Sequence, residues 1–168
     1  MPFRARKIMV SAVVAGFATV GGVSIAAADD PPTPPSSSTP PLAVEDYGYP
    51  SADRILVEKG IKLKQGDGHI LLADCDQAAQ QIRVMTVKDD SVGRQGTYCF
   101  RTIGKTGRLT LELPRVFFIE AADHPVSADL TANGATTTVN VPKGESQSVG
   151  EGTGGGARSV LLELRVTG

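Results

Sequence analysis

From Ile61 onward the chain keeps returning to one pattern. Short runs alternate apolar and polar residues, and turn residues close each run. A period of two places alternate side chains on opposite faces, so it selects β-strands. "IKLK" (residues 61–64) alternates strictly, "QGDG" turns, and "HILLADC" (69–75) is a strand. "QQIRVMTV", "TYCFRTI", "RLTLEL", "RVFFIE", "PVSADLT", "TTTVNV" and "VLLELRV" follow as further strands. Asn133-Gly134 joins two of them as a tight hairpin. The exception is "YPSADRILVEKG" (49–60), which reads as one short helix. Ser51 serves as its cap, Ile55 and Leu56 as its apolar face, and Lys59-Gly60 as its stop.

About nine short strands after one short helix predict an all-β fold, an antiparallel β-sandwich or partly closed barrel. No strand–helix–strand alternation occurs, which argues against a parallel nucleotide-binding sheet. With no Trp and five Phe, aliphatic residues must fill the core. The expected set is Ile61, Leu63, Leu71, Ile82, Val84, Phe100, Leu109, Leu111, Phe117, Ile119, Leu130, Val139, Leu162 and Leu164.

The N-terminus carries Arg4, Arg6 and Lys7, then an uncharged run over residues 8–26, then "AAADD". This is the layout of a secretory signal peptide over residues 1–28, with cleavage after Ala28. Residues 29–44 form a Pro/Ser-rich linker, with "PPTPPSSSTPP" at 31–41 favouring extended polyproline II. The β-domain occupies residues 45–168. Cleavage leaves 14 basic against 18 acidic residues, a formal charge of −4. No basic cluster survives, so neither nucleic acid nor an anionic membrane is an expected partner. Two cysteines in a secreted chain are expected to pair, Cys75 with Cys99.

"GDGHILLADCD" (66–76) gathers Asp67, His69, Asp74 and Asp76 around Cys75. A metal loop would need these groups to converge. In a strand, His69 points away from Asp74, Asp67-Gly68 is a turn, and the acidic spacing of a helix–loop–helix calcium site is absent. The stretch is therefore read as a hairpin with polar ends, with no cofactor or metal assigned.

His124, in "ADHP", is the second of two histidines. No serine lies in a nucleophile elbow, so neither histidine has an evident catalytic partner. Glu112, Glu120 and Glu163 fall at solvent-facing positions of alternating strands. "GEGTGGG" (150–156) lacks the Lys-Ser/Thr ending of a phosphate loop.

The wording of "YPSADRILVEKGIKLKQGDGHILLADC", "YCFRTIGKTGRLTLELPRVFFI" and "LLELRV" resembles small secreted proteins of actinomycetes such as Streptomyces, over nearly the whole domain. The resemblance implies secretion and a β-rich domain with a cysteine pair, and it transfers no catalytic or binding residue. The expectation is a secreted, non-catalytic binding module whose partner is an extracellular protein or a cell-wall polymer. Residues 88–96 and 143–159 are its candidate recognition loops. A hydrolase built on His69 or His124, and an inhibitor of secreted proteases, are the alternatives.

Overall fold

The computed structural model describes residues 47–168. The signal segment, the Ala28 cleavage site and the Pro/Ser linker lie outside the described residues.

The helix α1 (Ala52–Lys59) ends at Gly60, whose left-handed backbone turns its N–H back onto the Leu56 carbonyl at 3.0 Å. Ser51 does not cap it with its side chain. It is itself left-handed, and only its carbonyl takes part, accepting from Ile55 N–H at 3.0 Å. Ile55 packs against the core, while Leu56 is exposed.

Ten strands follow: β1 (Lys62–Gly66), β2 (Ile70–Ala73), β3 (Ile82–Thr86), β4 (Thr97–Thr102), β5 (Thr106–Pro114), β6 (Val116–Ala121), β7 (Val126–Ala132), β8 (Ala135–Val141), β9 (Glu145–Ser148) and β10 (Val160–Thr167). They form two five-stranded antiparallel sheets that do not close into a barrel. One sheet runs β1-β5-β10-β7-β8 and the other β2-β4-β3-β6-β9. The sandwich rather than the barrel is thus the fold, and the chain changes sheets at most of its connections.

The tenth strand, β9, lies in what the sequence presents as a glycine-rich loop. Its four residues are all exposed and carry no apolar alternation. Only its pairing with β6, from Phe118↔Ser148 to Ala121↔Glu145, makes it a strand.

The core between the sheets contains ten of the expected residues, Ile61, Leu63, Ile82, Val84, Phe100, Leu109, Leu111, Ile119, Leu130 and Leu164. Three expectations fall on the wrong face. Ile70 is buried in place of Leu71, because Gly107 opposite leaves room where a Cβ would come within 2.9 Å of Ile70 Cγ1. Leu161 is buried in place of Leu162, because a bulge between Leu161 and Glu163 resets the parity of β10. Val116 is buried in place of Phe117, and both Phe117 and Phe118 stay partly exposed. Here β6 is bulged: its pairing with β3 passes from Met85↔Phe118 to Thr86↔Val116, so Phe117 is the extra residue and the alternation shifts by one. Val139 is partly buried against the core.

Tyr98 ties the helix to the sheets. Its ring is 1% exposed, its hydroxyl donates to the Lys59 carbonyl, and it accepts from Gln95 N–H at 2.9 Å. Burial raises the Tyr98 pKa. Nearby, Cys75 and Cys99 are joined in a disulfide that fastens the chain beyond β2 to β4, across 24 positions of sequence.

Closing a loop of that length restricts the unfolded chain and stabilises the fold by about 3 kcal/mol. Replacing both cysteines with Ala should lower the unfolding free energy by about that amount, and urea titration measures it. An unchanged midpoint would mean that the disulfide adds nothing.

Candidate functional site

The outward face of the first sheet is a plate of polar side chains. In β5, Leu109, Leu111 and Leu113 point into the core, so Arg108, Thr110 and Glu112 point out. Across the sheet the charges are paired in sequence. Glu112 lies between Lys62, at 3.1 Å, and Lys64. Glu163 accepts from Arg108 Nε and Nη2 at 2.8 and 2.6 Å, and from Arg165. Asp129 accepts from Arg165 at 2.8 and 2.9 Å and from the Thr138 hydroxyl at 2.6 Å.

Glu163 is thus only 8% exposed, against the expectation of a solvent-facing position. The β10 bulge places it between two guanidinium groups, where the ion pairs offset the loss of water. Hydrogen bonds from Arg165 hold the Asp129 carboxyl below its ordinary pKa, and the Arg165 pKa rises in return.

At the β1 side this plate opens into a groove of about 300 Å³, lined by Tyr47, Gln65, Gly66, Asp67, Arg108 and Thr110. Each lining group is positioned by backbone pairing. A bulge between Leu63 and Gln65 sets Gln65 opposite Thr110, and the Thr110 hydroxyl bonds both the N–H and the carbonyl of Gln65 at 3.1 Å. The Tyr47 carbonyl accepts from Gly66 N–H at 3.1 Å, which lays the segment before α1 along β1. Tyr47 is 60% exposed. Asp67 accepts from His69 N–H and from Arg108 N–H, both at 2.9 Å. Arg108 is directed by Glu163 yet remains largely exposed.

An aromatic ring, a guanidinium, a carboxylate, an amide and a hydroxyl therefore share one shallow groove on rigid strands. A ring face stacks on the apolar side of a sugar or similar ring, and the planar guanidinium recognises hydroxyl or acidic oxygens. Asp67 serves two backbone donors, which fix its direction in the groove. Sequence reasoning missed Tyr47, Gln65, Arg108 and Thr110. The outward parity of Arg108 and Thr110 in "RLTLEL" was the available signal. Tyr47 had none, since it stands in the short unpatterned segment before α1.

The polar groups of residues 66–76 do not converge. His69 Nδ1 is 3.7 Å from Asp67, Asp74 is exposed beside Lys59 at 3.1 Å, and Asp76 accepts from Ala78 N–H at 2.9 Å. His124 Nδ1 lies 3.0 Å from Asp123, and the Thr102 hydroxyl approaches the same nitrogen at 3.5 Å. A relay needs the hydroxyl and the carboxylate on opposite ring nitrogens, so this cluster is not arranged as a triad. Glu120 is bound to Arg83 at 2.8 Å. Among the described residues, no three His, Cys, Asp or Glu side chains are grouped to share a metal ion.

Arg115 links the strand end just before the first suspected loop to the second loop. Its carbonyl accepts from Val87 N–H at 3.0 Å, its N–H donates to Ser159 at 2.8 Å, and its guanidinium grips both Glu151 oxygens at 2.6 Å. Asp89 caps a 3₁₀ turn (Asp90–Val92) through Ser91 and also binds Arg94 at 3.2 Å. The hydrogen bond from Ser91 lowers the Asp89 pKa, and that from Arg115 lowers the Glu151 pKa. The glycine-rich run packs rather than cradles. A Cβ at Gly152 would lie 2.1 Å from the Phe117 carbonyl. The first loop pairs its charges internally, Lys88 with Asp90 and Arg94 with Asp89, while Glu151 of the second is held by Arg115.

Comparison with protein families finds no family model that matches the chain, and no curated protein matches it. A solved structure, the antifungal protein from Streptomyces tendae Tu901, is similar at 19% identity. The match covers 58% of this chain and 99% of that one, with a TM-score of 0.42. At that level of similarity no residue's role carries over.

Asp129 and Glu151 carry lowered folded-state pKa values. The stability they contribute is fully present above their ordinary values of 3.8 and 4.5, and is lost as pH falls through the depressed folded values. Urea midpoints should fall steeply below those ordinary values, and a D129N/E151Q variant should show a shallower acid slope. Equal slopes would remove these two carboxylates from the account.

Proposed function

We propose that this protein is a secreted, non-catalytic binding module that holds a polar polymer of the cell exterior in the Tyr47–Arg108 groove. The observation that carries the reading is the groove itself, an exposed aromatic ring beside Arg108, Asp67, Gln65 and Thr110. A polysaccharide offers ring faces and hydroxyl groups to match both kinds of side chain. The surrounding plate of strands extends the contact surface without a deep pocket, which suits a chain-like ligand better than a small one. Secretion is supported by the signal-like N-terminus and by the disulfide. No helix among the described residues is long and apolar enough to cross a membrane.

Co-sedimentation with insoluble wall polysaccharide tests the reading. The secreted protein should pellet with the polymer, and Tyr47→Ala should weaken binding about tenfold, the loss typical of an aromatic anchor. Lys88→Ala, in the loop away from the groove, should bind as the parent does. No pelleting with any wall fraction, or a Tyr47→Ala variant that pellets equally, would contradict the proposal.

A further inference from the structure

Among the described residues, two open sheets leave four edge strands, β1 and β8 in one and β2 and β9 in the other. An exposed edge presents a row of backbone donors and acceptors to any passing strand, and proteins blunt it with charge, proline, bulges, short length or a cover. Three of these edges are blunted. β1 carries Lys62 and Lys64, is bulged, and is overlaid by the chain at Tyr47 and Tyr49. β2 has four residues and runs into the disulfide. β9 has four residues and starts with Glu145.

Among the described residues, β8 has none of these devices. It is seven residues long, reads "ATTTVNV", and contains no charge, proline or glycine. It pairs with β7 in unbroken register from Val126↔Val141 to Ala132↔Ala135, so no bulge twists it away. Ala135, Thr136, Thr137 and Thr138 are exposed. Beside it, between β8 and β9, lies a cleft of about 300 Å³ with Leu130, Val139 and Val149 among its lining residues. The inward side chains of an added strand would enter that cleft.

We propose that β8 is the pairing edge of a symmetric homodimer, in which two β8 strands run antiparallel and fuse the two sheets into one of ten strands. A second copy fits because the edge is complementary to itself. With no charge on the strand, two-fold apposition sets no like charges against each other. A two-fold axis normal to the sheet keeps the small and apolar residues Ala135, Thr137 and Val139 inward on both copies. Thr136, Thr138 and Asn140 stay outward. Pairing consumes the edge in both copies, so the assembly closes rather than growing. The same symmetry places both Tyr47–Arg108 grooves on one face, which would let one polymer engage two sites. The dimer does not depend on that use.

Light scattering after gel filtration tests the proposal on protein secreted from the full chain. The parent should show the dimer mass, shifting toward monomer on dilution. Thr137→Lys puts an ammonium at the cleft mouth, tolerable in an open edge but opposed by its own copy in a closed one. It should weaken association at least tenfold, and Thr137→Val should not. Hydrogen exchange on the unaltered protein supplies a second measurement, needed if the lysine variant fails to fold. The amides of Ala135–Val141 should exchange more slowly at high protein concentration. A monomer mass at every concentration would overturn the proposal. So would a folded Thr137→Lys variant that dimerises like the parent, or β8 exchange that is independent of concentration.

Discussion

Glu163 lies nearly buried on the outer face of the first sheet, with Arg108 on one carboxylate oxygen and Arg165 on the other. The candidate site depends on this arrangement. The bulge in β10 that turns Glu163 outward also lets Leu161 and Leu164 both reach the core. The same carboxylate fixes the direction of Arg108, which otherwise is a long side chain free to sample many rotamers. Removing either arginine would leave a largely desolvated carboxylate short of a partner, at a cost on the order of 1–3 kcal/mol. A binding groove on a strand face gains from such anchoring, because less side-chain freedom is lost when a ligand arrives.

The rest of the molecule isolates this face from disturbance. Aliphatic side chains fill the space between the sheets, and Tyr98 and the disulfide fasten the helix and β2 onto the opposite sheet. Of the loops that sequence patterning marks for recognition, the second is held by Arg115 through Glu151 and the Ser159 carbonyl, and the first pairs its own charges.

Period-2 alternation and turn chemistry made nine of the ten strands and the helix readable from the residues. The tenth, β9, was not readable, since a wholly exposed edge strand has no reason to alternate. The misplaced core residues Leu71, Phe117 and Leu162 share one cause. Each sits where a glycine opposite or a strand bulge changes which neighbour faces the core, and such events are tertiary. The groove was less legible than the fold. Arg108 and Thr110 are ordinary outward residues of an alternating strand, and only the pairing of β1 with β5 brings them to Gln65 and Asp67. Tyr47 joins them through a backbone bond to Gly66 that no local pattern encodes. The conspicuous stretch at residues 66–76 contributed Gly66 and Asp67 alone to the groove.

The central claim is that the outer face of the first sheet, and not the loop end, is where ligand binds. Titrating soluble fragments of wall polysaccharide into isotope-labelled protein and following amide chemical shifts tests it most directly. The account predicts shifts concentrated at Gln65, Gly66, Asp67, Arg108 and Thr110. Shifts confined to residues 88–96 and 150–159 would contradict it.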